Sequence, residues 1–151
     1  MYAVIQRAGH TTLKVDGKLI SEISHGLVVY LGIKVGDSED KCEVLANKVS
    51  KLRIFEDANG KMNLSVKDTG GEILLVSQFT LCADCSRGNR PNFSMAEKPE
   101  RANELYELTA QKLRNLGLTV KTGVFGADMK IEQFNDGPVR LFTKFKIPLK
   151  L

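Results

Sequence analysis

The chain has 151 residues, 42% of them hydrophobic and 26% charged, with a formal net charge of +4. This length suits one domain that buries its own core without disulfide or metal staples, and the composition is that of a soluble globular protein rather than a disordered or membrane-embedded one. No apolar run approaches the roughly 20 residues of a bilayer-spanning helix, and the longest, Gly26 to Ile33, is strand-sized. Cys42, Cys82 and Cys85 are too few for a disulfide framework, and the first residues enter a strand pattern directly, so a cytoplasmic location without membrane attachment is expected. The positive excess is localised. Arg140, Lys144, Lys146 and Lys150 lie in an acid-free stretch from residue 139 onward, and residues 1–138 carry eighteen charges of each sign. Such an end can meet phosphate or simply stay solvated.

In chain order, residues 2–7 read as a first strand. Residues 11–15 and 18–23 flank Asp16-Gly17, the dipeptide that supplies the backbone angles of a tight hairpin turn. Residues 27–33 are apolar almost throughout, the pattern of a strand covered on both faces. The Gly36-Asp37-Ser38 turn is expected to cap a helix whose buried stripe is Cys42, Leu45, Val49 and Leu52. After Ile54-Phe55, a turn at Asp57 to Gly60 leads through Met62-Asn63-Leu64 to Gly70-Gly71, and Glu72 to Val76 forms another apolar strand that stops at Ser77. Residues 82–98 read as an ordered loop. Pro99 then opens a long helix that ends before Gly117 and buries Ala102, Leu105, Tyr106, Leu113 and Leu116. Residues 119–124, 129–134 and 139–147 read as three more strands, the last alternating Val139, Leu141, Phe145 and Ile147 against Arg140, Lys144 and Lys146. Strands outnumber helices, and their order predicts a single α/β domain over residues 1–151 with helices packed on one side of a mixed sheet, residues 140–151 being a basic terminal strand and tail.

Conventional catalytic constellations do not assemble. Cys82-Ala83-Asp84-Cys85 has CxxC spacing, but a structural zinc needs four ligands and a redox pair would open a helix that this polar loop does not predict, so two unpaired thiols are the better reading. His10 and His25 stand at turn edges and read as structural. No nucleophile elbow, zincin helix, phosphate loop or dinucleotide fingerprint is present, and Asp57, Asp68 and Asp84 have no metal-trio spacing. No metal or cofactor is expected, and any catalysis must proceed without the usual side-chain relay.

Two runs are informative because each puts unusual residues where an apolar strand should end: Ser77-Gln78-Phe79-Thr80-Leu81 and Asn135-Asp136-Gly137-Pro138-Val139. Together with Ala3-Val4-Ile5-Gln6-Arg7, Arg53-Ile54-Phe55, Gly60 to Leu64, Arg90-Pro91-Asn92-Phe93-Ser94 and Phe125 to Met129, they are collinear over the chain up to residue 139. In order and spacing these blocks resemble the D-aminoacyl-tRNA deacylases.

The resemblance implies a homodimer of barrel-like α/β subunits in a three-layer α/β/β arrangement, each hydrolysing the ester between a D-amino acid, or glycine, and the 3′ end of tRNA. It implies that the Gly137-Pro138 peptide is cis and reaches into the partner's pocket, where its main-chain oxygens hold the α-amino group and leave no room for an L side chain. Arg7 would brace that element. Ser77, Gln78, Phe79 and Thr80 would form the catalytic wall, with backbone N–H groups as an oxyanion hole. Met129 and Phe79 would be pocket walls, and Ala102 would face the substrate. A threonine hydroxyl without a base is a poor nucleophile, so water attack assisted by the substrate's 2′-hydroxyl is preferred to covalent catalysis by Thr80. One departure from the family pattern stands out: Arg140 follows Gly137-Pro138-Val139 where a threonine is usual, and could reach a tRNA phosphate or a carboxylate across the dimer. The alternative of a different class is a nucleic-acid-binding protein on the same fold that uses the basic end without turnover.

Overall fold

A computed structural model of the protein describes residues 1–146. Its elements are β1 (Tyr2–Val15), β2 (Lys18–Ile23), β3 (Gly26–Gly32), α1 (Glu39–Lys51), β4 (Phe55–Glu56), β5 (Met62–Leu64), β6 (Glu72–Ser77), a 3-10 turn (Phe79–Cys82), α2 (Pro99–Asn115), β7 (Val120–Thr122) and β8 (Met129–Lys144).

The long strand β1 organises the sheet. One of its edges pairs with two successive antiparallel partners, Tyr2 to Ala8 with β3 and Thr11 to Val15 with β2, while its other edge carries β8 along nearly its whole length. Beyond β3 the sheet continues in parallel through β6 and β7. Its curvature brings β2 back toward β7, where the Ser21 hydroxyl donates to the Thr122 carbonyl and Lys121 Nζ donates to the Glu22 carbonyl at 2.8 Å. The result is a nearly closed barrel. β4 and β5 form a separate two-stranded ribbon.

Parallel neighbours require crossovers, and α1 and α2 are the crossovers from β3 to β6 and from β6 to β7. Both lie on one face of the sheet. Leu45, Ala46 and Val49 of α1 and Leu105, Tyr106, Ala110 and Leu113 of α2 pack there against Ile5, Leu27, Val29, Leu31, Ile73 and Leu75. Alternate residues of the same strands, Val28, Leu74 and Val76, point the other way and join Ala8, Leu13 and Ile23 inside the barrel. This double coverage explains why β3 and β6 read as continuous apolar runs, since removing each such side chain from water contributes about 1.5–3 kcal/mol. Gly26 opens β3 at φ +144, and a Cβ there would sit 1.9 Å from the Glu72 carbonyl oxygen, so only glycine lets β3 and β6 come into register.

Several boundaries differ from expectation. The first two expected strands are one bent strand, β1, and the last two are likewise one strand, β8. Within β8 the register passes from Ala8 opposite Asn135 to Gln6 opposite Arg140, so residues 136–139 leave the ladder as a projecting bulge. Pro138 has no N–H to offer a ladder, and Gly137 has φ +115, which accounts for the interruption. The strand expected over 119–124 shortens to Val120–Thr122. The last strand, expected to reach Ile147, ends at Lys144, and the rest of the expected tail, residues 147–151, lies outside the described residues.

The cap of α1 is also different. The Ser38 hydroxyl makes no cap bond and is buried without a partner. Asp37 acts in its place as a buried junction: its carboxylate takes the Met1 α-amino group at 2.8 Å, the Lys34 N–H at 2.7 Å and Lys41 Nζ at 2.7 Å. Desolvation by burial pushes this carboxyl up, but the hydrogen bonds from Lys41, the Met1 amine and Lys34 outweigh it and hold the group below its ordinary value of 3.8. A carboxyl whose folded pKa is depressed stabilises the fold above its unfolded value and loses that contribution as pH falls through the folded one. Asp37→Asn is therefore expected to cost about 3 kcal/mol near pH 7 in urea unfolding, with the gap from the parent narrowing only below about pH 4. A gap independent of pH down to 2 would show that the carboxylate charge is not what Asp37 contributes.

Candidate functional site

A cavity of about 640 Å3 opens where the parallel strands end. Leu31 and Ile33 reach it from the end of β3, Val76 and Ser77 from the end of β6, and Phe125, Gly126 and Ala127 from the segment after β7. Lys98, Pro99 and Ala102 bring the amino end of α2, and Met129 and Ile131 close the site from β8. This is the carboxyl edge of a parallel sheet, where open backbone groups and a helix amino terminus converge. The volume fits a small-molecule site and the lining is mostly apolar, with Ser77, Gln78, Glu97 and Lys98 as the polar side chains.

The wall built by Ser77 to Thr80 follows from how β6 stops. Gln78 N–H still pairs with the Leu31 carbonyl at 2.9 Å, after which the chain tightens into the 3-10 turn. The first N–H groups of such a turn have no internal acceptor. Those of Phe79 and Thr80 donate to no protein group among the described residues. Ser77, Gln78 and Phe79 line the cavity, whereas Thr80 is exposed beside it with its hydroxyl accepting from the Gln78 amide. Phe79 is 56% exposed and packs edge-on against Phe93 at 5.1 Å. Of the other expected site residues, Ala102 and Met129 line the same cavity.

Arg7, Gly137 and Pro138 form a second cluster. The Gly137-Pro138 peptide is cis. Arg7, with a buried side chain, donates from Nη1 to the Ile54 carbonyl at 2.8 Å and holds Nε 3.0 Å from Asp136 Oδ2, a contact between charges that is not aligned as a hydrogen bond. A Cβ on Gly137 would lie 3.2 Å from Arg7 Nη2, which is how closely the bulge rests on the guanidinium. None of these three residues lines the cavity of the same chain. Ile131, which does, is six residues from Gly137, about 20 Å of extended strand.

Burial pushes the Cys82 thiol up, and Cys82 donates to the Ile33 carbonyl, while Cys85 is exposed. Burial likewise pushes the Tyr106 phenol up to about 12, and its hydroxyl donates to the Leu75 carbonyl at 2.7 Å. His10 pairs with Glu22, and His25 contacts the Thr69 carbonyl, both away from the cavity. Among the described residues no three His, Cys, Asp or Glu side chains converge as a metal site.

Sequence reasoning assigned no role to Glu97 and Lys98, or to Phe93 and Phe125. Phe93 and Phe125 stand inside the recurring blocks, a signal that was available, whereas Glu97 and Lys98 sit in an irregular loop whose course no periodicity reveals. Glu97 is the one carboxylate on the wall among the described residues, and its Oε1 accepts the Lys98 N–H at 2.8 Å.

Comparison with known proteins matches this architecture and these blocks. A protein from Geobacillus sp. (strain WCH70) named D-aminoacyl-tRNA deacylase is 51% identical over 97% of this chain and 96% of its own. One of the same name from Halalkalibacterium halodurans is 52% identical over 97% of this chain and all of its own. A solved structure described as c-Myc DNA Unwinding Element Binding Protein superposes with a TM-score of 0.91 at 39% identity, covering 97% of this chain and 100% of that one. A probable eukaryotic D-amino acid tRNA deacylase superposes at 0.79 with 15% identity over 94% of this chain and 97% of that one, a likeness of fold. The model of the family described as D-Tyr-tRNA(Tyr) deacylase matches residues 4–144, nearly the whole described chain, and the protein belongs to that family.

Proposed function

We propose that the protein hydrolyses the ester between a D-amino acid, or glycine, and the 3′ end of tRNA, acting in the cytoplasm, where its substrate is found, and rejecting L-aminoacyl-tRNA through the Gly137-Pro138 bulge of a second subunit. The observation that carries this reading is the pair of N–H groups at Phe79 and Thr80 that are unpaired among the described residues, set at the wall of a largely apolar cavity whose lining among those residues includes no nucleophilic relay. Two neighbouring donors suit the negative oxygen that develops when an ester carbonyl is attacked. Water adds to that carbonyl, the bond to the ribose 3′ oxygen breaks, and that oxygen leaves with a proton, giving the free amino acid and tRNA. The ester is already activated, so orientation and charge stabilisation can suffice, with the neighbouring 2′-hydroxyl of the substrate positioning the water.

Two-fold assembly is supported by β8. It is an edge strand whose outer side has no partner among the described residues, and it exposes Phe134 and Phe142 at 67% and 57%. An open edge with exposed aromatic side chains invites a partner strand, and a two-fold, self-complementary contact is the commonest arrangement among homo-oligomers. The same strand carries the Gly137-Pro138 bulge, which stands outside its own cavity and is therefore free to enter another. Rejection by main-chain atoms makes chemical sense because the site tests configuration at one carbon while accepting many side chains.

A second reading, nucleic-acid binding without turnover, is favoured by the likeness to the 39%-identical c-Myc DNA Unwinding Element Binding Protein and by the basic strand around Arg140 and Lys144. Incubation with D-tyrosyl-tRNA and L-tyrosyl-tRNA separates the two: release of D-tyrosine alone is expected, and release from neither substrate would leave only the binder. Thr80→Ala and Glu97→Gln are each expected to keep turnover within about tenfold, whereas a terminal 2′-deoxyribose should cost about a hundredfold or more. A collapse of activity in either variant would point to a protein base or nucleophile. For the bulge, Arg7→Ala removes the support beneath Gly137; deacylation of the D substrate is expected to fall about tenfold or more while gel filtration still reports a dimer. A parent protein that elutes as a monomer at assay concentration would remove the cross-subunit screen.

A further inference from the structure

We propose that the hairpin tip carrying Arg87 and Arg90 holds the phosphates of the nucleotides just before the reacting 3′ end, so that the protein grips tRNA beside the cavity as well as within it. The inference rests on the deacylase reading and adds an element outside the cavity to it.

The segment after the 3-10 turn is a short hairpin. Asp84 and Asn92 exchange both backbone hydrogen bonds, at 2.8 and 2.9 Å, and their side chains each accept from a backbone N–H two residues on, Asp84 from Ser86 and Asn92 from Ser94. The base of the hairpin is therefore fixed, and Asp84 turns its carboxylate into the turn. The tip, Cys85 to Pro91, is exposed throughout and presents Arg87 and Arg90. Neither guanidinium makes an ion pair or a side-chain hydrogen bond among the described residues.

Placement gives these free charges a use. Phe93, at the base of the hairpin, lines the cavity and packs on Phe79 of the signature wall. Arg90 is three residues from Phe93, at most about 11 Å of chain. Lys98 adds a third positive group at the cavity mouth, while the nearby Glu97 carboxylate is turned onto the Lys98 N–H. A substrate whose ester enters the cavity must lead its preceding phosphates out past this rim. Arginine is suited to that contact because its planar fork accepts two phosphate oxygens at once and its charge survives every physiological pH.

The test compares the parent, Arg87→Ala/Arg90→Ala and Arg87→Lys/Arg90→Lys on two ligands, full-length tRNA in its uncharged and D-tyrosylated forms and a D-tyrosyl ester of adenosine. The double alanine variant is expected to bind uncharged tRNA about tenfold to a hundredfold more weakly near 50 mM salt, with the slope of log Kd against log salt reduced by about 1.5, and the lysine variant is expected to recover most of both. Hydrolysis of the adenosine ester should change far less than hydrolysis of D-tyrosyl-tRNA. Unchanged tRNA affinity and slope in the alanine variant would overturn the proposal, and so would an equal loss on both substrates, which would assign the arginines to the shape of the cavity. Should the parent release no D-tyrosine from either ligand, the deacylase reading fails, and the affinity and slope comparison still decides the role of the hairpin.

Discussion

Everything at the candidate site depends on β6 being buried on both faces and paired in parallel on both edges. A strand so enclosed cannot drift in register, because a shift of one residue would turn Ile73 and Leu75 away from the helices and Leu74 and Val76 out of the barrel. Its end is therefore fixed, and with it the point at which the ladder runs out of partners. Gln78 makes the last backbone bond, to Leu31. The next two N–H groups are left open by construction rather than by any special residue, which is why the wall has no distinctive side-chain chemistry.

The two halves of the sheet divide the work. The parallel half, β3, β6 and β7 with their crossover helices, builds the cavity at its carboxyl edge and brings the amino end of α2 to it. The antiparallel half, β1 and β8, reaches the cavity only through Met129 and Ile131 and carries the Gly137-Pro138 bulge away from it. Mounting the bulge on the longest ladder among the described residues, against a buried arginine, holds it more firmly than a loop at the cavity mouth would be held.

Elements with strong local signals were legible in the sequence. Asp16-Gly17 fixed the hairpin, Pro99 and Gly117 bracketed α2, and the apolar runs of β3 and β6 announced strands covered on both faces. What could not be read was continuity. Residues 8–10 and 135–139 look like breaks because Gly9, Gly137 and Pro138 weaken strand propensity locally, yet long-range pairing between β1 and β8 carries both strands past them. At the site, Ser77, Gln78, Phe79 and Met129 were placed through the collinear blocks and Ala102 through its helix position in the resembled family, and all five line one cavity. Thr80 stands beside it, and Arg7 with the Gly-Pro bulge stands apart. Glu97 and Lys98 escaped because irregular backbone has no period from which a direction can be derived.

Arg140, where the family resemblance implies a threonine, is exposed but tied at its Nε to the sheet beneath it. Its Nε donates to Gln6 Oε1 at 2.6 Å, and Gln6, fully buried, donates from Nε2 to the Arg7 carbonyl at 2.8 Å. The amide can take only this orientation, since the reverse would set its NH2 group against a guanidinium and an oxygen against a carbonyl. Arg7 is thus held twice, at its carbonyl through Gln6 and at its side chain through the Ile54 carbonyl. The arginine at 140 lengthens the chain of contacts behind the bulge by one link. It therefore acts on the residue that supports Gly137 and not on the bulge itself, so a larger, charged side chain is accommodated two residues after the proline without crowding Gly137.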